Sequence, residues 1–249
     1  MSKTLLFHAV INCDVQNQRQ LDRGDYGDIA CIFFTKHGLN RPTKKYHAVY
    51  GDLPSTAELD KFGSIHLTGA NQCPYGDEPW VLELVALVKN VVENYSLIKL
   101  TGACFGHQII CRAMGGVVNP NPNGIEGGIC EIEISDEFPR SILDLRTPGK
   151  LYLVEAHKNW VEAAPPDSVV LGSSDKTHNQ GVYRKGRFLT LQGHPEYGTD
   201  VSEFIVQSWI KKDCSPDYYA DCVKRNKTLP NDGDVFGRAM VRFLTDDSV

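Results

Sequence analysis

The sequence predicts an α/β fold with a mostly parallel central sheet and a small antiparallel β insertion. Three observations point to it. Up to Gly116 strand-like and helix-like segments alternate. Beyond it, short β-like segments follow one another with alternating apolar and polar residues. From Tyr197 onward helical spacing returns.

In chain order, Leu5–Ile11 reads as a buried first strand. Helical spacing of Tyr26, Ile29, Ala30 and Phe33 predicts a helix over Asp25–Lys36. Lys45–Tyr50 reads as a second strand, closed by the turn signal Gly51-Asp-Leu-Pro54. Ser64–Leu67 is a short third strand that runs into Thr68-Gly69-Ala70. Glu78–Glu93 has the clearest amphipathic pattern, with Trp80, Leu84, Leu87, Val88 and Val91 as its core face. Ser96–Leu100 reads as the fourth strand, and Phe105–Met114 as a helix stopped by Gly115-Gly116. Asn119–Gly124 reads as a loop. The β-like segments are Ile129–Ile134, Lys150–Glu155, Ser168–Ser173, Gly181–Arg184 and Arg187–Gln192. Tyr197–Ile210 is helical, and the last 36 or so residues read as two more helices, the second over Val235–Leu244. Arg225-Asn226-Lys227 reads as a mixed surface turn. No linker divides the chain, so residues 1–249 are expected to form one domain with a helical extension over about 212–249.

Bulk properties narrow the function. The 249 residues are 41% hydrophobic and 23% charged, ordinary values for a globular protein with a sizeable core. A net charge of -5 without a Lys/Arg run argues against nucleic acid as a partner. The N-terminal apolar run lacks the small-residue cleavage pattern of a signal peptide, and no stretch reaches the ~18 apolar residues of a membrane span. Eight scattered cysteines without a short-range framework suit a reducing, cytoplasmic setting.

One cysteine differs from the other seven. Cys104 lies in Thr101-Gly-Ala-Cys-Phe-Gly-His-Gln108, between a strand-like run and a helix-like one. Gly102 and Gly106 flank it symmetrically, as a tight strand-to-helix turn requires on steric grounds. The positive end of the following helix would favour thiolate, the reactive form. The Phe105 N–H, exposed by the same turn, could stabilise an oxyanion. Alone, Gly-x-Cys-x-Gly fits a buried structural cysteine equally well. A base is offered by Gln192-Gly-His-Pro-Glu196. Pro195 pushes His194 toward extended geometry, and residues i and i+2 of an extended segment face the same side. Glu196 could then hold one ring nitrogen of His194 and leave the other for a thiol. Taken alone, His-Pro-Glu is more often a turn histidine beside a solvent-facing acid. Together the two segments describe a cysteine-nucleophile enzyme.

The segments Gly102-Ala-Cys104-Phe-Gly106-His-Gln108 and Gly193-His194-Pro-Glu196 resemble those of the class I glutamine amidotransferases, over about Lys3 to Lys211. Within that family the pattern resembles the stand-alone members, namely fungal amidotransferase-like proteins and plant γ-glutamyl peptidases. Ile125-Glu-Gly-Gly128, Ser173-Ser-Asp-Lys176 and His157-Lys-Asn-Trp-Val161 carry this narrower likeness. The resemblance implies a flavodoxin-like three-layer α/β/α sandwich. It implies a triad of Cys104, His194 and Glu196 that attacks a γ-glutamyl carbonyl and passes through a γ-glutamyl thioester. It assigns the oxyanion hole to the Phe105 N–H and an amide of Gly69-Ala70, where Ala70 replaces a family glycine. Gln108 matches a residue that contacts the amino-acid end of the substrate. Glu126 fits a substrate-facing role and a structural β-turn role equally well, and His157, a candidate substrate-binding residue, falls where many relatives carry His-Gly-Asp, from which Lys158-Asn159 departs. No cofactor and no metal are implied. The expected partner is a small γ-glutamyl substrate; a synthase fed with ammonia, or a non-catalytic γ-glutamyl-binding role, are the alternatives. The loops at Asn71–Asp77 and Asn119–Gly128 are the expected selectors of the leaving group. Two unrelated readings fit less well. An α/β-hydrolase places its acid well before the histidine, and the metal-like spacing Cys104-x-x-His107-x-x-x-Cys111 has no nearby fourth ligand.

Overall fold

The computed structural model describes residues 6–15 and 24–248. The start of the first strand expected at Leu5, and the Lys3 end of the family likeness, lie outside those residues. A seven-stranded sheet forms the centre. Its strands, in spatial order, are Thr43–His47 (β2), Phe7–Asn12 (β1), Phe62–Leu67 (β3), Lys99–Ala103 (β4), Phe188–Leu191 (β12), Val182–Arg184 (β11) and Val169–Val170 (β9). The first five pair in parallel and the last two antiparallel. β1, β3, β4 and β12 are almost wholly buried, as strands covered on both faces must be.

Helices cover both faces. Pro79–Asn94 (α3) and Phe105–Ala113 (α4) pack with Leu67, Leu100 and Phe188 in one core. On the opposite face Tyr26–Lys36 (α1) and Gly233–Thr245 (α8) pack with Leu153, Leu189 and Leu191 in a second. This is the flavodoxin-like three-layer architecture that the resemblance implied. The stretch read as an antiparallel insertion contains two small sheets. One joins Gly172–Ser173 (β10), Glu126–Ile134 (β6) and Lys150–His157 (β7), and the other pairs Val117–Pro120 (β5) with Asn159–Ala163 (β8). A short helix at Thr56–Leu59 (α2) precedes β3. Thr199–Ile205 (α5), a π-turn over Val206–Ile210 and Pro216–Thr228 (α7) lie against the β6–β7 pair, with Lys211–Asp213 (α6) following the π-turn.

Several boundaries differ from the sequence reading for identifiable reasons. β2 ends at His47, and Ala48–Tyr50 form a single 3-10 turn closed by Gly51 at φ 74°, a conformation glycine adopts without cost. β4 begins at Lys99 and continues through Thr101-Gly102-Ala103. Those small residues had read as the turn, but they are strand positions that let α4 approach. A Cβ on Gly102 would lie 2.6 Å from the Gly106 carbonyl carbon. On α3 the fully buried face is Val81, Leu84, Val88 and Val91; Trp80 and Leu87 only flank it. Arg225-Asn226-Lys227 is no turn but part of α7. There the buried Asn226 accepts hydrogen bonds from the Ile129 N–H (2.8 Å) and the Ser202 hydroxyl (3.0 Å). No helix among the described residues is long and apolar enough to cross a membrane.

Candidate active site

Strand register brings the site together. Leu67 of β3 lies beside Gly102 of β4, and Ala103 beside Leu191 of β12. The segments that leave these three strands at their carboxyl ends are Thr68-Gly69-Ala70, Cys104-Phe105, and Gln192-Gly193-His194. The crevice outside the carboxyl ends of a parallel sheet is where such folds bind ligands.

Cys104 is the hinge between β4 and α4. Its φ of 49° and ψ of -106° are sparsely populated for a residue with a side chain, the kind of strain that clusters at working sites. The turn holds because Cys104 N–H donates to Leu191 O (2.9 Å) and Gly106 N–H to Thr68 O (3.1 Å). A side chain on Gly106 would collide with Leu67, so this glycine lets the β3 and β4 ends meet. Cys104 therefore sits at the N-terminus of a nine-residue helix with its thiol slightly exposed.

His194 is fixed from several sides. Its N–H donates to Val154 O of β7 (2.8 Å), an isolated bridge between the central sheet and the insertion. Nδ1 is 2.8 Å from Glu196 Oε1, the i,i+2 contact that the extended geometry predicted. Because a carboxylate can only accept, Nδ1 carries the proton. Tyr197 stacks on the ring, with centroids 4.4 Å apart and planes 7° from parallel. Across the ring, a Cβ on Gly69 would lie 2.8 Å from His194 Cε1 and 3.7 Å from Cys104 Cβ. Gly69, His194 and Cys104 are thus mutual neighbours. Burial by itself would lower the His194 pKa, but Glu196 and then Cys104 outweigh it and hold it well above the ordinary histidine value.

The β3 end is shaped by Asp14, just after β1. Its buried carboxylate accepts from Asn71 N–H (3.1 Å) and Asn71 Nδ2 (3.0 Å), while Thr68 Oγ1 accepts from Cys13 N–H (3.0 Å). These bonds turn the Asn71 amide away and leave the Gly69-Ala70 segment against the thiol.

A cleft of about 200 Å³ opens over Cys104 and His194. Its walls are Tyr26, Ala70, Asn71, Tyr197, and the α5/π-turn face of Phe204, Ile205, Ser208 and Trp209. No sequence motif described above includes this aromatic wall. The i, i+1, i+4, i+5 spacing of the last four marks one helical face and was the available signal.

The remaining expected site residues lie behind the cleft, not on its wall. Gln108, buried in the first turn of α4, donates its amide to Asn159 O (3.0 Å) and Gln192 Oε1 (2.9 Å). Glu126 and His157, both buried, face each other across the β6–β7 pair, with His157 Nε2 3.1 Å from Glu126 Oε2. With Glu155 they form the only group of three close potential metal ligands among the described residues. Cys104, His107 and Cys111 do not converge as a metal set. His107 Nδ1 instead meets Thr190 Oγ1 at 2.7 Å, and burial drives its pKa to about 3. Of the loops expected to select the leaving group, Asn71 reaches the cleft and 119–128 does not.

Fold and site together define a class: a strand-to-helix cysteine beside a carboxylate-held histidine on a three-layer α/β/α sandwich. The glutamine amidotransferase class-I family model matches residues 74–208, and the chain belongs to that family. A glutamine amidotransferase-like protein of Schizosaccharomyces pombe is 26% identical over 233 residues, covering 89% of this chain and 91% of that one. Gamma-glutamyl peptidase 5 of Arabidopsis thaliana is 26% identical over 209 residues, covering 83% and 82%. A crystal structure of a glutamine amidotransferase from Thermotoga maritima superposes with a TM-score of 0.67, covering 96% of this chain and 99% of that one at 20% identity, which supports the fold.

Proposed function

We propose that this chain is a stand-alone hydrolase of γ-glutamyl amide bonds that works through a γ-glutamyl thioester on Cys104. The observation that carries the reading is the meeting of Cys104 with a His194 whose Nδ1 is already held by Glu196 at 2.8 Å.

With Nδ1–H committed to Glu196, Nε2 is the nitrogen left to take the thiol proton. The Cys104 sulfur attacks the γ-carbonyl carbon, and the carbonyl oxygen becomes an oxyanion. The Phe105 N–H at the start of α4 and an amide of Gly69-Ala70 are the donors assigned to it in this reading. Collapse breaks the C–N bond; the imidazolium returns its proton to the departing amine, which leaves as a neutral amine. Water, deprotonated by the same ring, then hydrolyses the thioester and frees the γ-carboxylate and the thiol.

The aromatic wall of Tyr26, Phe204 and Trp209 supports a leaving group larger than ammonia, because it offers apolar surface that ammonia would not use. The family likeness to gamma-glutamyl peptidases points the same way. The test is product release by the purified chain with L-glutamine, glutathione and γ-glutamyl dipeptides side by side, and Cys104→Ala as blank. Faster cleavage of γ-glutamyl peptides than of glutamine supports the proposal. Cleavage of none of them contradicts it and would point to a glutaminase subunit that depends on a synthase, or to a γ-glutamyl-binding protein.

A further inference from the structure

The insertion carries a second histidine–carboxylate arrangement that the chemistry above does not use. His157 Nδ1 is 2.9 Å from the Asn159 carbonyl oxygen and its Nε2 is 3.1 Å from Glu126 Oε2. Both are acceptors, so both ring nitrogens carry protons and His157 is an imidazolium. Burial alone would lower its pKa; Glu126 and Glu155 reverse that and raise it to about 10. Glu126 is well supplied with donors, from Ser174 Oγ (2.6 Å) and Gln180 Nε2 (3.0 Å) as well as from His157. Burial opposes its ionisation, yet these partners bring its pKa down to about 2.

Glu155 is different. It is completely buried, and neither carboxylate oxygen accepts a hydrogen bond from any described residue. Its Oε2 lies 3.2 Å from His157 Nε2, an ion pair without an aligned hydrogen bond. A buried carboxylate with so few donors is costly, so packing alone does not account for it. What it touches is the base. Gly193 has room for no side chain because a Cβ there would collide with Glu155 Oε1. The residue before Glu155, Val154, accepts the His194 N–H. The carboxylate therefore presses on the main chain one residue before His194, and the two side chains act on each other electrostatically.

We propose that Glu155 is a positioning residue for His194, a second carboxylate that supports the imidazolium from beneath while Glu196 holds it from the side. This rests on the reading of His194 as the base. The groups facing Glu155 are His157 on its own strand, Glu126 on β6 and His194 beyond β12. Burial, with Glu126 adding to it, raises the Glu155 pKa to about 7 against the pull of the two histidines.

The direct test is the pH titration of the His194 ring by NMR in Cys104→Ala, which removes the sulfur and needs no substrate. Adding Glu155→Gln should lower the His194 pKa by about 1, the lower end of what one nearby opposite charge produces. An unchanged His194 titration in the double variant would overturn the proposal. Should the double variant fold poorly, Glu155→Asp in the Cys104→Ala background keeps the charge but draws it back from the Gly193 main chain, and an unchanged His194 titration there would overturn the proposal equally. An inactive wild-type chain would sink the hydrolase reading but not alter this readout.

Discussion

The histidine–carboxylate arrangements at His194 and at His157 lie on either side of Glu155, and they do opposite things with the same groups. His194 gives one nitrogen to Glu196 and turns its other edge toward Cys104 at the floor of a cleft. His157 has both nitrogens occupied. The first can exchange a proton with a neighbour; the second is fixed as a cation that joins β6 to the segment after β7. A histidine beside an acid is thus not by itself a base. The unoccupied nitrogen, and what lies next to it, decide.

The comparison can be broken at either end, and the largest effect is expected at the base. His194→Ala should cut kcat by roughly 10⁵–10⁶, and Glu196→Gln by about one to two orders less, because orienting a base contributes less than being one. An equal or larger loss at Glu196 would reverse that ranking. Gly69→Ala should come next. Its Cβ would stand 2.8 Å from His194 Cε1, so the ring must move, and a displacement of that order costs about 10²-fold in rate. Full activity in this variant would show that the ring is not seated as described.

The smallest effect sharpens the contrast from the other side. His157 has a folded-state pKa of about 10, above its unfolded value of about 6.5. The folded state therefore binds the extra proton, and the stability this contributes should fade as pH rises from about 6.5 through about 10. Denaturant midpoints should fall across that window in the wild type and stay flatter in His157→Gln. Parallel curves for the two proteins would mean that His157 is not the cation described.

Much of the site was readable from residues close in sequence. Gly102 and Gly106 around Cys104 are steric requirements of one turn, and His194 with Glu196 is an i,i+2 pair of one extended segment. Both are local rules, and the parallel α/β order followed from alternation in the same way. What escaped depends on distant partners. Glu155 shares a strand face with Leu151 and Leu153, and only the Gly193 main chain packed against it shows what it touches. Arg225-Asn226-Lys227 has turn composition, yet Asn226 is buried because Ile129 and Ser202 donate to it across the chain. Gln108, Glu126 and His157 were expected at the substrate, but their neighbours occupy them behind the cleft. The cleft wall joins Tyr26 of α1 to Trp209 of the π-turn, 183 positions later, and no local pattern links them.

The central claim is that Cys104 is the nucleophile. The measurement that tests it most directly is the intact and peptide mass of the chain, acid-quenched during turnover of a γ-glutamyl peptide. One γ-glutamyl group on the peptide containing Cys104, absent from Cys104→Ala, is the predicted result. An adduct on another cysteine, or turnover that survives in Cys104→Ala, would contradict the account.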